Sequence, residues 1–177
     1  MSNSTPGEEA AADTAAAIAD LALKHGFTVA TAESLTGGQI ATTLAAAEDS
    51  SEWFAGGVVS YQTHVKYDVL GVPEGQPVIS ETAVEAMAAG VAELMGADAT
   101  VAASGAGGPG EQEGNPPGTT WIAVRVRGTN RTELHHFDGD PEEILGQTRQ
   151  RSLELLHQLL RDTASDDQNT TTAKERS

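Results

Sequence analysis

The chain reads as an α/β protein, a three-layer α/β/α domain on a mixed, mostly parallel sheet. Three observations carry that reading. Helical and extended patterns alternate in the order helix, strand, helix, strand, helix, strand, hairpin, helix, as expected for strands interleaved with crossover helices. The run ATVAAS, Ala99 to Ser104, is small and apolar throughout, which suits a strand covered on both faces. The length, 177 residues, suits one domain with its own core.

Each element has its own signals. Residues 1 to 7 are small and polar, so a disordered tail is expected before a domain spanning 8 to 162. From Glu8 an alanine-rich run carries Ile18, Leu21 and Leu23. Lys24 and His25 suit the negative end of the helix dipole, and Gly26 is a natural stop. Phe27, Thr28 and Val29 favour a strand, and a second helix resumes after Gly37 and Gly38, to about Ala47. A short strand over about 57 to 61 leads to a helical turn ending near Gly71. Ser80 is placed to cap a long helix. The stretch TTWIAVRVRGTNRTELHHF alternates about a Gly-Thr-Asn turn and reads as a hairpin. Asp140 caps a last helix, with Pro141 first and two acids following. Ile144, Leu145, Leu155, Leu156 and Leu159 line its core face. Residues 163 to 177 are polar and predict a disordered tail.

Charge and composition exclude several functions. Lys and Arg number 10 against 26 Asp and Glu, a net charge of −16, so the chain repels nucleic acid and acidic membranes. Adaptation to high salt, where screening relieves self-repulsion, is the sharper reading of this charge; an ordinary acidic protein is the plainer one. There is no cysteine, hence no disulfide and no thiolate chemistry. No apolar run suits a membrane span and no signal-peptide pattern opens the chain, so a cytoplasmic protein is expected. His135 and His136 are adjacent and point to opposite faces of a strand; no metal site is expected.

Three stretches could carry chemistry. In TAESLTGGQI, Thr31 to Ile40, Ser34 lies just past a predicted strand, and two glycines open the next helix. Ligands bind beyond the carboxyl ends of strands in such sheets. Ser34 is thus placed as a nucleophile, and the amides after it as oxyanion donors. A capped helix with glycines for packing is the plain alternative. In SYQTHVK, Tyr61 and Lys66 stand five residues apart at another strand end, and Lys66 is one of only three lysines. A desolvated lysine can serve a serine as base. A surface lysine beside a core tyrosine is the alternative. Ser104 precedes the glycine loop GAGGPGEQEGNPPG, whose bare backbone could approach a ligand's polar end. It is neither a Walker loop nor a good dinucleotide fingerprint, so no cofactor is expected. A flexible surface loop is the alternative.

Together TAESLTGG, GGVVSYQTHVKYDVLGV, and SGAGGPG followed by PPGTTWIAV resemble the CinA C-terminal domain, over about Ala11 to Leu160. The resemblance implies a nicotinamide-nucleotide amidohydrolase, which turns nicotinamide mononucleotide and water into nicotinic acid mononucleotide and ammonia. The chain looks like the stand-alone form, without the larger N-terminal domain of full-length CinA proteins and its pyrophosphatase activity. The resemblance also implies a homo-oligomer and a metal-free mechanism. Ser34 matches the family's proposed nucleophile, and Tyr61 and Lys66 match its tyrosine and lysine. Glu33, Gly37, Gly38, Ser104, Gly105, Gly107 and Gly108 are then expected around the substrate. Ser104 replaces the usual threonine, and SGAGGP replaces TGIAGP, looser at Gly107. Pro141 stands where the family commonly has arginine, and Arg149 is the candidate to take over that role.

Overall fold

The computed structural model describes residues 5–175, with side chains to Asn169. α1 (Pro6–His25) starts two residues before Glu8, because Thr5 and Glu8 close a reciprocal capping box. Of the expected N-terminal tail, residues 1–4 lie outside the described chain. α1 stops at Gly26 in the left-handed conformation. Then come β1 (Val29–Glu33), α2 (Gln39–Ala45), α3 (Ser50–Trp53), β2 (Phe54–Val59), α4 (Thr63–Leu70) and α5 (Glu81–Met95). β3 (Ala99–Gly105), β4 (Thr119–Val126), β5 (Thr129–His136) and α6 (Pro141–Glu175) complete the domain.

The sheet order is β2-β1-β3-β4-β5. β1 pairs parallel with β2 and β3, while β4 runs antiparallel to both its neighbours. Chain order reverses at β1, the strand flanked by both crossovers. The carboxyl ends of β1, β2 and β3 therefore lie along one edge, where α/β sheets hold ligands.

Two cores cover the sheet. α1, α2, α3 and α6 pack Ile18, Ile40, Trp53 and Leu156 against Val29, Val101, Ile122 and Val124. α5 packs Val84, Met87 and Val91 against Ala30, Ala32, Ala102 and Ala123. The period of two sorts β3 between these layers: Thr100 and Ser104 point with Ala102 towards α5, and Thr100 donates to Ala88 O at 2.9 Å. On α5, Gly90 lets the helix press on the end of α4, since a Cβ there would fall on the Leu70 carbonyl.

Further boundaries differ from expectation. β2 begins at Phe54 rather than near Gly57, and α3, four residues long, carries no sequence period. The hairpin turns on Arg127-Gly128, with Val126 opposite Thr129 and both turn residues at positive φ, 47° and 88°. That is the mirror-image two-residue turn that matches strand twist; Thr129 and Asn130 belong to β5. Finally, α6 runs on to Glu175, where a disordered tail from 163 is the sequence expectation. Ala164 is buried, Thr163 Oγ1 donates to Leu159 O at 2.8 Å, and Arg131 and Arg127 pair with Asp162 and Asp167. Polar composition does not reveal these anchors, and extending an existing helix costs far less than starting one.

Candidate functional site

Ser34 leaves β1 at its carboxyl end, and its N–H donates to Ala103 O at 3.0 Å, so the turn hangs from the β1–β3 ladder. The residue is 9% exposed. It opens onto a pocket of about 190 Å³ shared with Leu35, Tyr61, Gly105, Gly107, Gly108, Gln112, Pro141 and Leu145. Ser34, Tyr61 and three glycines of the loop, from distant stretches of sequence, thus meet at one point.

The two glycines after Ser34 shape the start of α2. Gly37 and Gly38 adopt φ of 56° and 103°, a left-handed turn that brings the start of α2 back over β1. The fully buried Glu33 carboxylate fills that start: Oε2 accepts from Gly38 N at 3.1 Å and Ile40 N at 3.0 Å, and Oε1 from Ala41 N at 2.7 Å. Thr31 Oγ1 donates to Oε1 at 3.4 Å. Gly37 N donates to Ser34 O at 3.1 Å. Glu33, Gly37 and Gly38, expected around the substrate, are spent on this internal cap, and the anion-binding end of α2 is closed by the protein's own carboxylate.

Lys66 and Tyr61 reverse the plain alternative. The lysine is 2% exposed and the tyrosine 71% exposed. Lys66 sits one turn into α4, and its Nζ donates to Ser60 O at 2.6 Å. Ser60 is itself fixed, its N–H and hydroxyl donating to Glu33 O at 2.7 and 3.2 Å. Among the described residues no carboxylate lies within ion-pair distance of Nζ. Burial pushes the Lys66 ammonium below the ordinary lysine value, with the Glu113 charge acting in the opposite direction.

Ser104 does not face the pocket. Its hydroxyl donates to Val78 O at 2.6 Å, because its strand position aims it at the chain entering α5. Arg149 also lies elsewhere, in a cavity of about 610 Å³ between the starts of α1 and α6, with Nη2 3.5 Å from Gly7 O. The Pro141 position therefore lines the Ser34 pocket without a cation, and Arg149 does not supply one. Gly107 and Gly108 line the pocket, and among the described residues their amides donate to no backbone carbonyl. Amides without a backbone partner can donate to an oxyanion where one develops beside them. Sequence reasoning missed Gln112 and Glu113; their one signal, a glycine directly after Glu113, is hidden among the other glycines of the loop.

Ser34 at the carboxyl end of β1 thus shares a pocket with a glycine loop at the switch point of an α/β sheet, while the buried Lys66 has no carboxylate partner among the described residues. Residues 11–160 match the model of the CinA C-terminal domain, and the chain belongs to that family. It is 42% identical over 136 residues to the nicotinamide-nucleotide amidohydrolase PncC of Pseudomonas putida, covering 74% of this chain and 85% of that protein. It is 39% identical over 135 residues to protein YdeJ of Escherichia coli, covering 73% and 78%. A CinA-like protein of Desulfotalea psychrophila is 39% identical over 154 residues, and there the matched region covers only 37% of the relative. The crystal structure of competence damage-inducible protein A from Klebsiella pneumoniae superposes with a TM-score of 0.82 at 33% identity, over 85% of this chain and 97% of that one.

Proposed function

We propose that the chain is a nicotinamide-nucleotide amidase, converting nicotinamide mononucleotide and water to nicotinic acid mononucleotide and ammonia. The observation that carries this is the buried Lys66, held by a carbonyl oxygen and by no carboxylate among the described residues. A purely structural lysine gains nothing from such a site, whereas a general base needs its neutral form. A neutral amine that donates to Ser60 O keeps its lone pair to receive a proton. The name of the Pseudomonas putida relative supports the substrate class.

Ser34 Oγ attacks the carboxamide carbon, and its proton passes to Lys66 Nζ with Tyr61 assisting at the pocket rim. The Gly107 and Gly108 amides receive the oxyanion. The C–N bond breaks as Lys66 returns the proton to the departing ammonia, and water then hydrolyses the ester on Ser34. A pocket of about 190 Å³ is smaller than most whole-ligand sites, roughly 300–1,000 Å³, so it takes the pyridine ring while ribose and phosphate lie across its mouth. For the phosphate, α2, α5 and α6 are closed by Glu33, Ser80 and Asp140. The glycine loop and the start of α4, which has no side-chain cap, remain.

A second reading, a nucleotide-binding module without catalysis, is favoured by one fact: the hydrogen bond of Lys66 goes to Ser60 and not to Ser34. Ammonia measured during incubation with nicotinamide mononucleotide separates the two. Release supports the amidase; nucleotide binding with no release at any salt supports the module.

A further inference from the structure

The glycine loop is fastened along its length by a residue outside the wall of the Ser34 pocket. Gln112 and Asn115 exchange both backbone hydrogen bonds, Gln112 N to Asn115 O at 3.0 Å and Asn115 N to Gln112 O at 2.8 Å. Glu113 and Gly114 between them have φ of 51° and 76°, again a mirror-image two-residue turn. Glycine or asparagine suits the first position; a glutamate there carries a left-handed backbone cost. What offsets it is visible. Glu113 Oε2 accepts from Ile79 N at 2.9 Å and Oε1 from Val78 N at 3.2 Å. The Val78 carbonyl in turn receives the Ser104 hydroxyl at 2.6 Å. The segment entering α5 is thus gripped from both ends of the glycine loop, by Ser104 before it and Glu113 within it. The neighbour of Glu113, Gln112, forms part of the Ser34 pocket wall.

We propose that Glu113 is a positioning residue: it latches the loop against Val78 and Ile79 and so holds Gln112 at the Ser34 pocket. The latch stands independently of the amidase reading. Other acids stand on the surrounding elements, Glu33 on β1, Asp68 on α4, and Glu85 and Glu93 on α5. Glu33 is taken up by α2 and Glu85 accepts from Thr132. Burial lowers the Lys66 value, and the Glu113 charge acts against it, favouring the protonated amine. Removing it lets Lys66 lose its proton at lower pH, so the rising limb of the pH–rate profile moves to lower pH.

The test uses the full chain, Glu113→Gln and Glu113→Ala, with two readouts independent of turnover. The chain has only three lysines, so the Lys66 side chain can be titrated by heteronuclear magnetic resonance. Amide hydrogen exchange at Val78 and Ile79 reports the latch. The expected results are a lower Lys66 midpoint in both variants and exchange at least about tenfold faster in Glu113→Ala. Unchanged exchange at Val78 and Ile79 in Glu113→Ala overturns the proposal. Glu113→Gln replaces one acceptor oxygen with NH₂, so exchange at Val78 or Ile79 should quicken there too, and unchanged exchange at both overturns the proposal even if Glu113→Ala fails to fold. Absence of ammonia release by the unmodified protein would refute the amidase reading alone and leave both readouts interpretable.

Discussion

Among single residues, Glu33 carries the heaviest structural duty. Its carboxylate satisfies three backbone donors at the start of α2 in a fully buried setting. Glu33→Gln puts an NH₂ against one of those donors and should cost about 2–4 kcal/mol, measured by urea unfolding. Ser34 is the next residue, so activity should fall with it. Gly107 makes the opposite prediction. A Cβ added there meets Leu35 Cβ and Leu145 Cδ2 at 3.6 Å, ordinary contact, with φ outside the left-handed range. Gly107→Ala should raise stability by about 0.5–1 kcal/mol through the unfolded chain and narrow the pocket. Residue types and motif spacing alone single out Ser34, Tyr61 and the glycine loop, and these do meet at one pocket. Spacing does not reveal which polar groups are already occupied. Glu33 and Ser104 are consumed by backbone partners, and the Ser104 partner lies 26 residues away, a distance over which local pattern carries no information.

Among elements, β5 and α6 are joined by one network. Arg151 Nη2 lies 2.7 Å from Glu133 Oε1, His135 Nε2 is 2.7 Å from Glu133 Oε2, and Arg151 also reaches Glu154 at 3.2 Å. The hydrogen bond from Arg151, against a smaller opposing effect of burial, holds the Glu133 carboxyl at about 2, below its ordinary 4.5. A depressed acid adds stability above its unfolded value and loses it as pH falls towards the folded one. On the order of 2–3 kcal/mol should therefore disappear between pH 4.5 and 2. Glu133→Gln should flatten acid unfolding in that window, followed by circular dichroism. Removing residues 162–177 takes away buried Ala164 and two arginine partners and should cost about 1–2 kcal/mol. Strong periods and caps make most elements legible: Ser80 and Asp140 cap α5 and α6, as their positions suggest. α3 and the end of α6 are illegible because tertiary contacts, not local propensity, define them.

At the scale of the whole molecule, the field and the site oppose each other. A charge of −16 would repel the phosphorylated substrate of the proposed reaction, whose binding would then depend on local dipoles and amides at the strand ends. Screening should then help both folding and encounter. Raising KCl from millimolar to molar should lift the melting temperature by about 5 °C or more; an unchanged value would remove the high-salt reading of the composition. The mixed sheet with its reversal at β1 explains why three stretches spread from residue 34 to residue 112 converge on one pocket. That convergence gives the central claim, that Ser34 performs carboxamide hydrolysis. Its most direct test is ammonia release from nicotinamide mononucleotide at matched high salt, by the unmodified protein and by Ser34→Ala. Steady release that falls at least about 10³-fold in the variant, with nucleotide binding retained, is the predicted result. Release by Ser34→Ala at the undiminished rate would contradict it.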